Sequence, residues 1–220
     1  METILKQFKQ ILITVLLMLF IVPAIAQPKH TRQLKTKPVV VSRQLADFNR
    51  LVAQANISFT FPAGFKEINA PNNEDFSFDY AMELPGKEFE IWFHIKPEKE
   101  DWASYVYGLN NPNAQLANPD SLYKDMGAAQ AIAFTGEKNS PVRVLPQHVL
   151  ARYNADAGRS YMLTLLDLPE TKHFKYALLI TLHKNHTGTI IAVCFTNDKG
   201  PEFFKNMNDA SNCIKFKPSI

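Results

Sequence analysis

The chain has 220 residues, 46% hydrophobic and 20% charged, with sixteen phenylalanines and a formal net charge of +3. That length suits one domain with a substantial core, and the aromatic content excludes general disorder. The near balance of charge excludes a dominant nucleic-acid or anionic-membrane footprint.

Residues 1–26 read as a signal peptide. Lys6 and Lys9 make a basic start, and residues 11–22 carry no charge. Pro23 ends the run, and Ala24-Ile25-Ala26 is a small-x-small cleavage site before Gln27. The run is shorter than the ~20 apolar residues of a spanning helix. The expectation is export to the periplasm or the medium, with the cut after Ala26. No cysteine follows the cut to carry a lipid, and no second apolar run offers a stable membrane span. Residues 27–41 hold Lys29, Arg32, Lys35 and Lys37 without an acid, and read as a disordered basic leader.

Residues 42–220 form the expected single domain. Ser42 caps a first helix with Leu45, Phe48 and Val52 on one face, and Asn56 ends it. Residues 57–61 alternate as a strand, and Pro62-Ala63-Gly64-Phe65 turns the chain. Phe76, Phe78, Tyr80 and Met82 form a second alternating set; Phe89, Ile91, Phe93 and Ile95 form a third, after the Pro85-Gly86 turn. Such half-buried strands fit an antiparallel sheet with one covered face. Residues 97–120 are the longest irregular stretch, with a short helix at 101–107; long loops of this kind are functional or mobile.

Asn118-Pro119 opens a second helix with Leu122, Met126, Ala129 and Ile132 as its stripe and Gly136 as its exit. Strands are expected at 149–154, 161–166, 176–183 and 189–196, with turns at 156–158 and 185–188. A last helix at 202–212 uses Phe203, Met207 and Ala210. The fold class is α+β: a largely antiparallel sheet of about six to seven strands with helices packed against it.

The opening Ile57-Ser58-Phe59-Thr60-Phe61-Pro62-Ala63-Gly64-Phe65 resembles the "strand, Pro, small, Gly, aromatic" start of the Mog1/PsbP-like families. The close is also similar, with a strand at 190–195, a helix at 202–212 and Cys213-Ile214-Lys215-Phe216. The resemblance spans residues 57–216 and implies a small α+β sandwich. Those families include a nuclear-transport factor, a photosystem subunit and bacterial envelope proteins. They share no catalytic residues, so the resemblance implies a fold and leaves function open.

Local motifs for chemistry are sparse. His183-x-x-His186 lacks the intervening Glu and helical setting of a zincin, and surface histidines are the default, so no metal ligand is assigned. Gly158-Arg159-Ser160-Tyr161-Met162 lacks the second glycine of a nucleophile elbow. Glu98, Glu100 and Asp101 read as a solvated cluster at a strand end. No Gly-rich phosphate cradle is present. No catalytic residue and no cofactor are therefore expected. Cys194 and Cys213 admit a disulfide after export, or two buried thiols.

The positional hint is a contact surface. If Phe89, Ile91, Phe93 and Ile95 face the core, Trp92 and His94 face the other way with Glu88, Glu90 and Lys96, and Thr181 and His183 join them on a nearby strand. Either that face is a platform, or a helix or the long loop covers Trp92. Trp102, Tyr105 and Tyr107 extend the candidate surface as a lid, or pin the loop. The leading expectation is a non-enzymatic binding or envelope-interaction module whose partner is an unknown protein or small ligand, with no nucleic acid. The alternative is a secreted hydrolase with a dispersed active site.

Overall fold

The computed structural model describes residues 41–111, 113 and 115–218. The expected signal peptide and residues 27–40 of the expected basic leader lie outside the described residues. Among these, five α-helices and nine strands run in the order α1 (Arg43–Gln54), β1 (Ile57–Phe59), β2 (Lys66–Ile68), β3 (Tyr80–Glu83), β4 (Phe89–Pro97), α2 (Lys99–Gly108), α3 (Tyr123–Thr135), β5 (Val142–Val144), α4 (Gln147–Tyr153), β6 (Ala157–Thr164), β7 (Tyr176–Lys184), β8 (Gly188–Thr196), α5 (Pro201–Ala210) and β9 (Ile214–Phe216). Short 3-10 turns sit at Pro119–Ser121 and Pro169–Thr171. The fold is α+β. No helix among the described residues is long and apolar enough to cross a membrane.

Seven strands form one sheet in the order β2-β3-β4-β8-β7-β6-β5, antiparallel throughout. β1 and β9 pair separately. β4, β7 and β8 are nine residues each and form the centre. Their β-branched and aromatic runs suit a pleated surface buried on both sides.

The expectation of one covered face is corrected: both faces are covered. On one side, Phe48 and Val52 of α1, Phe203 and Ala210 of α5, and Ile57, Ile214 and Phe216 of the β1–β9 pair pack on Phe93, Ile95, Leu182 and Ile190. On the other, Ala131 and Phe134 of α3, with Phe76 and Phe78, pack on Trp92, Leu179, Val193 and Phe195. A strand buried on both faces reads as continuous apolar sequence with occasional polar residues, and alternation alone understates its burial.

Ser42 caps α1 as expected, its hydroxyl accepting from the Leu45 amide. Three other expectations are corrected. Phe76 and Phe78 do not continue the Tyr80–Met82 face, because the chain crosses between layers first. The Asn72–Ser77 bridge and the Asn73 side chain hold that crossing. Residues 149–154 belong largely to helix α4, not a strand; Leu150 is its buried residue and Asn154 ends it in the left-handed conformation. Residues 156–158 do not form a turn, since β6 starts at Ala157.

The α3 stripe is also rotated. Tyr123, Gly127, Ala131 and Phe134 are buried, and Ile132 is exposed. Gly127 explains the rotation. A Cβ there would stand 2.7 Å from Thr181 Cγ2 and 3.2 Å from the Tyr161 ring. The bare backbone lets α3 press onto β6 and β7, which seats Tyr123, one turn earlier on the same face. Gly127→Val is expected to cost about 1–3 kcal/mol by overpacking. Urea unfolding measures it; an unchanged midpoint would show that α3 does not depend on this close approach.

Candidate functional site

The β7–β8 hairpin turns at residues 185–187, with His186 at φ 59°. Register places His183 directly opposite Thr189. Both point to the face that α3 covers, and neither is exposed. Gly188 opposes Pro97, the end of β4. A Cβ on Gly188 would stand 2.7 Å from the Lys96 carbonyl oxygen, so this glycine permits the approach of β4. The next residue, Glu98, donates its amide to the Thr187 carbonyl at 3.1 Å and is 1% exposed.

Asp120 arrives on the first 3-10 turn. Asn118 caps that turn by accepting from the Asp120 amide. The His186 amide donates to Asp120 Oδ1 at 2.8 Å. His186 Nε2 stands 3.2 Å from Asp120 Oδ2.

Glu98, Asp120 and His183 therefore converge. His183 Nδ1 lies 3.0 Å from the Thr189 hydroxyl and 3.5 Å from Glu98 Oε2. The Thr189 hydroxyl donates to Glu98 Oε1 at 3.0 Å. His183 Nε2 comes within 3.3 Å of Asp120 Oδ1 without hydrogen-bond geometry. Tyr123 stacks on the His183 ring at 5.0 Å and 9°. Trp102 stacks on His186 at 3.7 Å and 22°. Burial pushes the Glu98 carboxyl up to about 7, against the lowering pull of the Thr189 hydroxyl. Burial likewise holds His183 below its ordinary range, against the raising effect of Asp120.

This arrangement corrects two expectations. His183 is not a surface histidine, and Glu98 is not a solvated acid. Chemically, the cluster offers a ring nitrogen, two carboxylates and a hydroxyl in one buried place.

The five candidate contact residues divide. Trp92 is not on an open face: it is 1% exposed and packs with Phe78 and Phe195 beneath α3. Its indole N–H donates to buried Glu90 at 3.0 Å, and Lys172 donates to the other oxygen of Glu90 at 2.5 Å. His94 is half-buried, with Nδ1 3.1 Å from Asp79 Oδ2. Trp102 and Tyr105 sit together on α2, their rings 5.4 Å apart. Tyr107 is 82% exposed. Of the two alternatives for the cysteines, the structure has the thiols: Cys194 and Cys213 are both free and buried.

Sequence reasoning missed Glu98, Asp120, Thr189 and Tyr123. Thr189 and Glu98 are 91 positions apart, and His186 and Asp120 are 66 apart. The one local signal was His183 on the same side of its strand as Leu179, a side that turned out to be buried. No protein-family model matches this chain, and no curated protein matches it.

Proposed function

We propose that the chain from Gln27 onward is an exported domain, secreted or periplasmic, that acts by binding a partner protein through α2. The export signal of residues 1–26 and the resemblance to Mog1/PsbP-like envelope proteins support this reading. Helix α2 is the observation that carries it. None of its residues is buried. Val106 and Tyr107 turn outward, and Leu109 follows at 59% exposure. Leu116 folds back against Gly108 and is itself exposed.

Apolar side chains gathered on an otherwise polar surface mark interaction sites. Tyrosine supplies a large contact area at low entropic cost. Trp102, stacked on His186, anchors the helix from behind. The fitting partner is a protein with an apolar pocket that admits Tyr107.

The test uses immobilised protein spanning 27–220 and its native envelope fraction. The triple variant Val106→Ser, Tyr107→Ser, Leu109→Ser should lose at least about tenfold in partner capture, with an unchanged melting temperature. Equal capture by both proteins would remove α2 from the interaction.

A secreted hydrolase is the second reading, favoured by the convergence of His183, Glu98, Asp120 and Thr189. Turnover in a broad substrate panel that His183→Ala abolishes would install it instead.

A further inference from the structure

The proton count at the buried cluster is unusual. With Glu98 ionised, the Thr189 hydroxyl gives its only proton to Glu98 Oε1. Toward His183 Nδ1, 3.0 Å away, it can therefore only accept. This places the ring proton on Nδ1 and leaves Nε2 of the neutral ring as a bare lone pair. Nε2 faces Asp120 Oδ1 at 3.3 Å, and it is buried without a hydrogen-bond partner. Glu98 Oε2 is buried and unpartnered too. Two acceptors facing one another in a buried gap repel unless a proton or a metal cation lies between them.

The spacing fits such a charge. One oxygen from Glu98, one from Asp120 and one ring nitrogen of His183 lie within 4.8 Å of one another. Donors in a tetrahedron with metal bonds of about 2.0 Å stand roughly 3.3 Å apart. The Thr189 hydroxyl already occupies the outer position that orients a metal-binding imidazole.

We propose that Glu98, Asp120 and His183 bind one divalent transition-metal cation, of which zinc is the best match. Imidazole nitrogen with two carboxylates suits zinc, whereas calcium and magnesium prefer all-oxygen shells. Asp120 keeps 17% of its side chain exposed, so a cation enters from its side and retains solvent there. His186, which shares Asp120, stays in the outer shell. The cation joins the strand end before α2, the 3-10 turn and the β7–β8 hairpin, and so fixes the base of α2. The site stands independently of any partner that α2 captures, and failure of either leaves the other intact.

Untagged 27–220 protein, stripped with EDTA and dialysed, should take up one Zn2+ per chain by isothermal titration at neutral pH. Ca2+ and Mg2+ should bind at least about a hundredfold more weakly. Asp120→Asn keeps the shape of a partly exposed residue and should weaken zinc by at least about a hundredfold while melting as a folded protein. Glu98→Gln should do the same, as a second test if Asp120→Asn unfolds. The exposed His173–Asp167 pair is the adventitious competitor. His173→Ala should leave binding unchanged. Absence of zinc uptake would overturn the proposal, as would uptake that survives Asp120→Asn and Glu98→Gln but disappears in His173→Ala.

Discussion

Trp92→Ala should lower the unfolding free energy by about 3–5 kcal/mol, the cost of removing a large buried aromatic from a packed layer. Trp92 is among the largest fully buried side chains, and it touches the rings of Phe78, Phe134 and Phe195. The substitution also strips buried Glu90 of the indole donor and leaves Lys172 as its named partner. Trp92→Phe separates the two effects. It retains most of the apolar contact and loses the N–H, so it should cost only about 1–3 kcal/mol. Urea unfolding of both variants measures these losses. Partner capture through α2 should be unchanged in Trp92→Ala at temperatures where it remains folded. A fully stable Trp92→Ala that loses capture would return Trp92 to the contact surface.

The folded protein should be inert to thiol reagents at pH 8, and the unfolded protein should show two thiols without added reductant. Burial pushes both Cys194 and Cys213 up to about 12, from an ordinary value near 9. At pH 8 the reactive thiolate is then about a thousandfold rarer than for a free cysteine, before any steric shielding. The sign of the linked stability follows. An acid whose folded value is raised holds its proton longer in the folded state, so stability is fully present below pH 9 and is lost as pH rises toward 12. A thiol-specific dye reaction in guanidinium distinguishes the alternatives. Two thiols released only on unfolding match the structure; none in guanidinium would mean that the pair is oxidised to a disulfide.

Local signals were legible where one residue type has one structural use. Ser42 as a cap, Asn118 before Pro119, Gly136 as a left-handed helix end and the long runs of β4, β7 and β8 all appear where their chemistry directs. Residues 149–154 failed because a short apolar run has no distinguishing period, and Pro146 before it favours a helix start as readily as a loop. The α3 stripe failed because Gly127 carries no apolar signal, yet its missing side chain sets which face meets the sheet. For Trp92 the covered alternative holds, while His183 was misread as a surface residue on the same face. A period-two pattern assigns the second face to solvent, and only a covering helix from residues 123–135 reverses that. Glu98 and Asp120 are ordinary surface acids in sequence. Their convergence on buried His183 is a product of strand register and a glycine at the hairpin, and neither leaves a local mark.

The functional reading places the binding end of the molecule at α2, and hydrogen exchange of the 27–220 protein with and without its captured partner tests that most directly. Protection should appear across 99–111 and the Leu116 segment, with the exchange of β6 and β7 unchanged. Protection confined to other elements, with 99–111 exchanging freely in the complex, would contradict it.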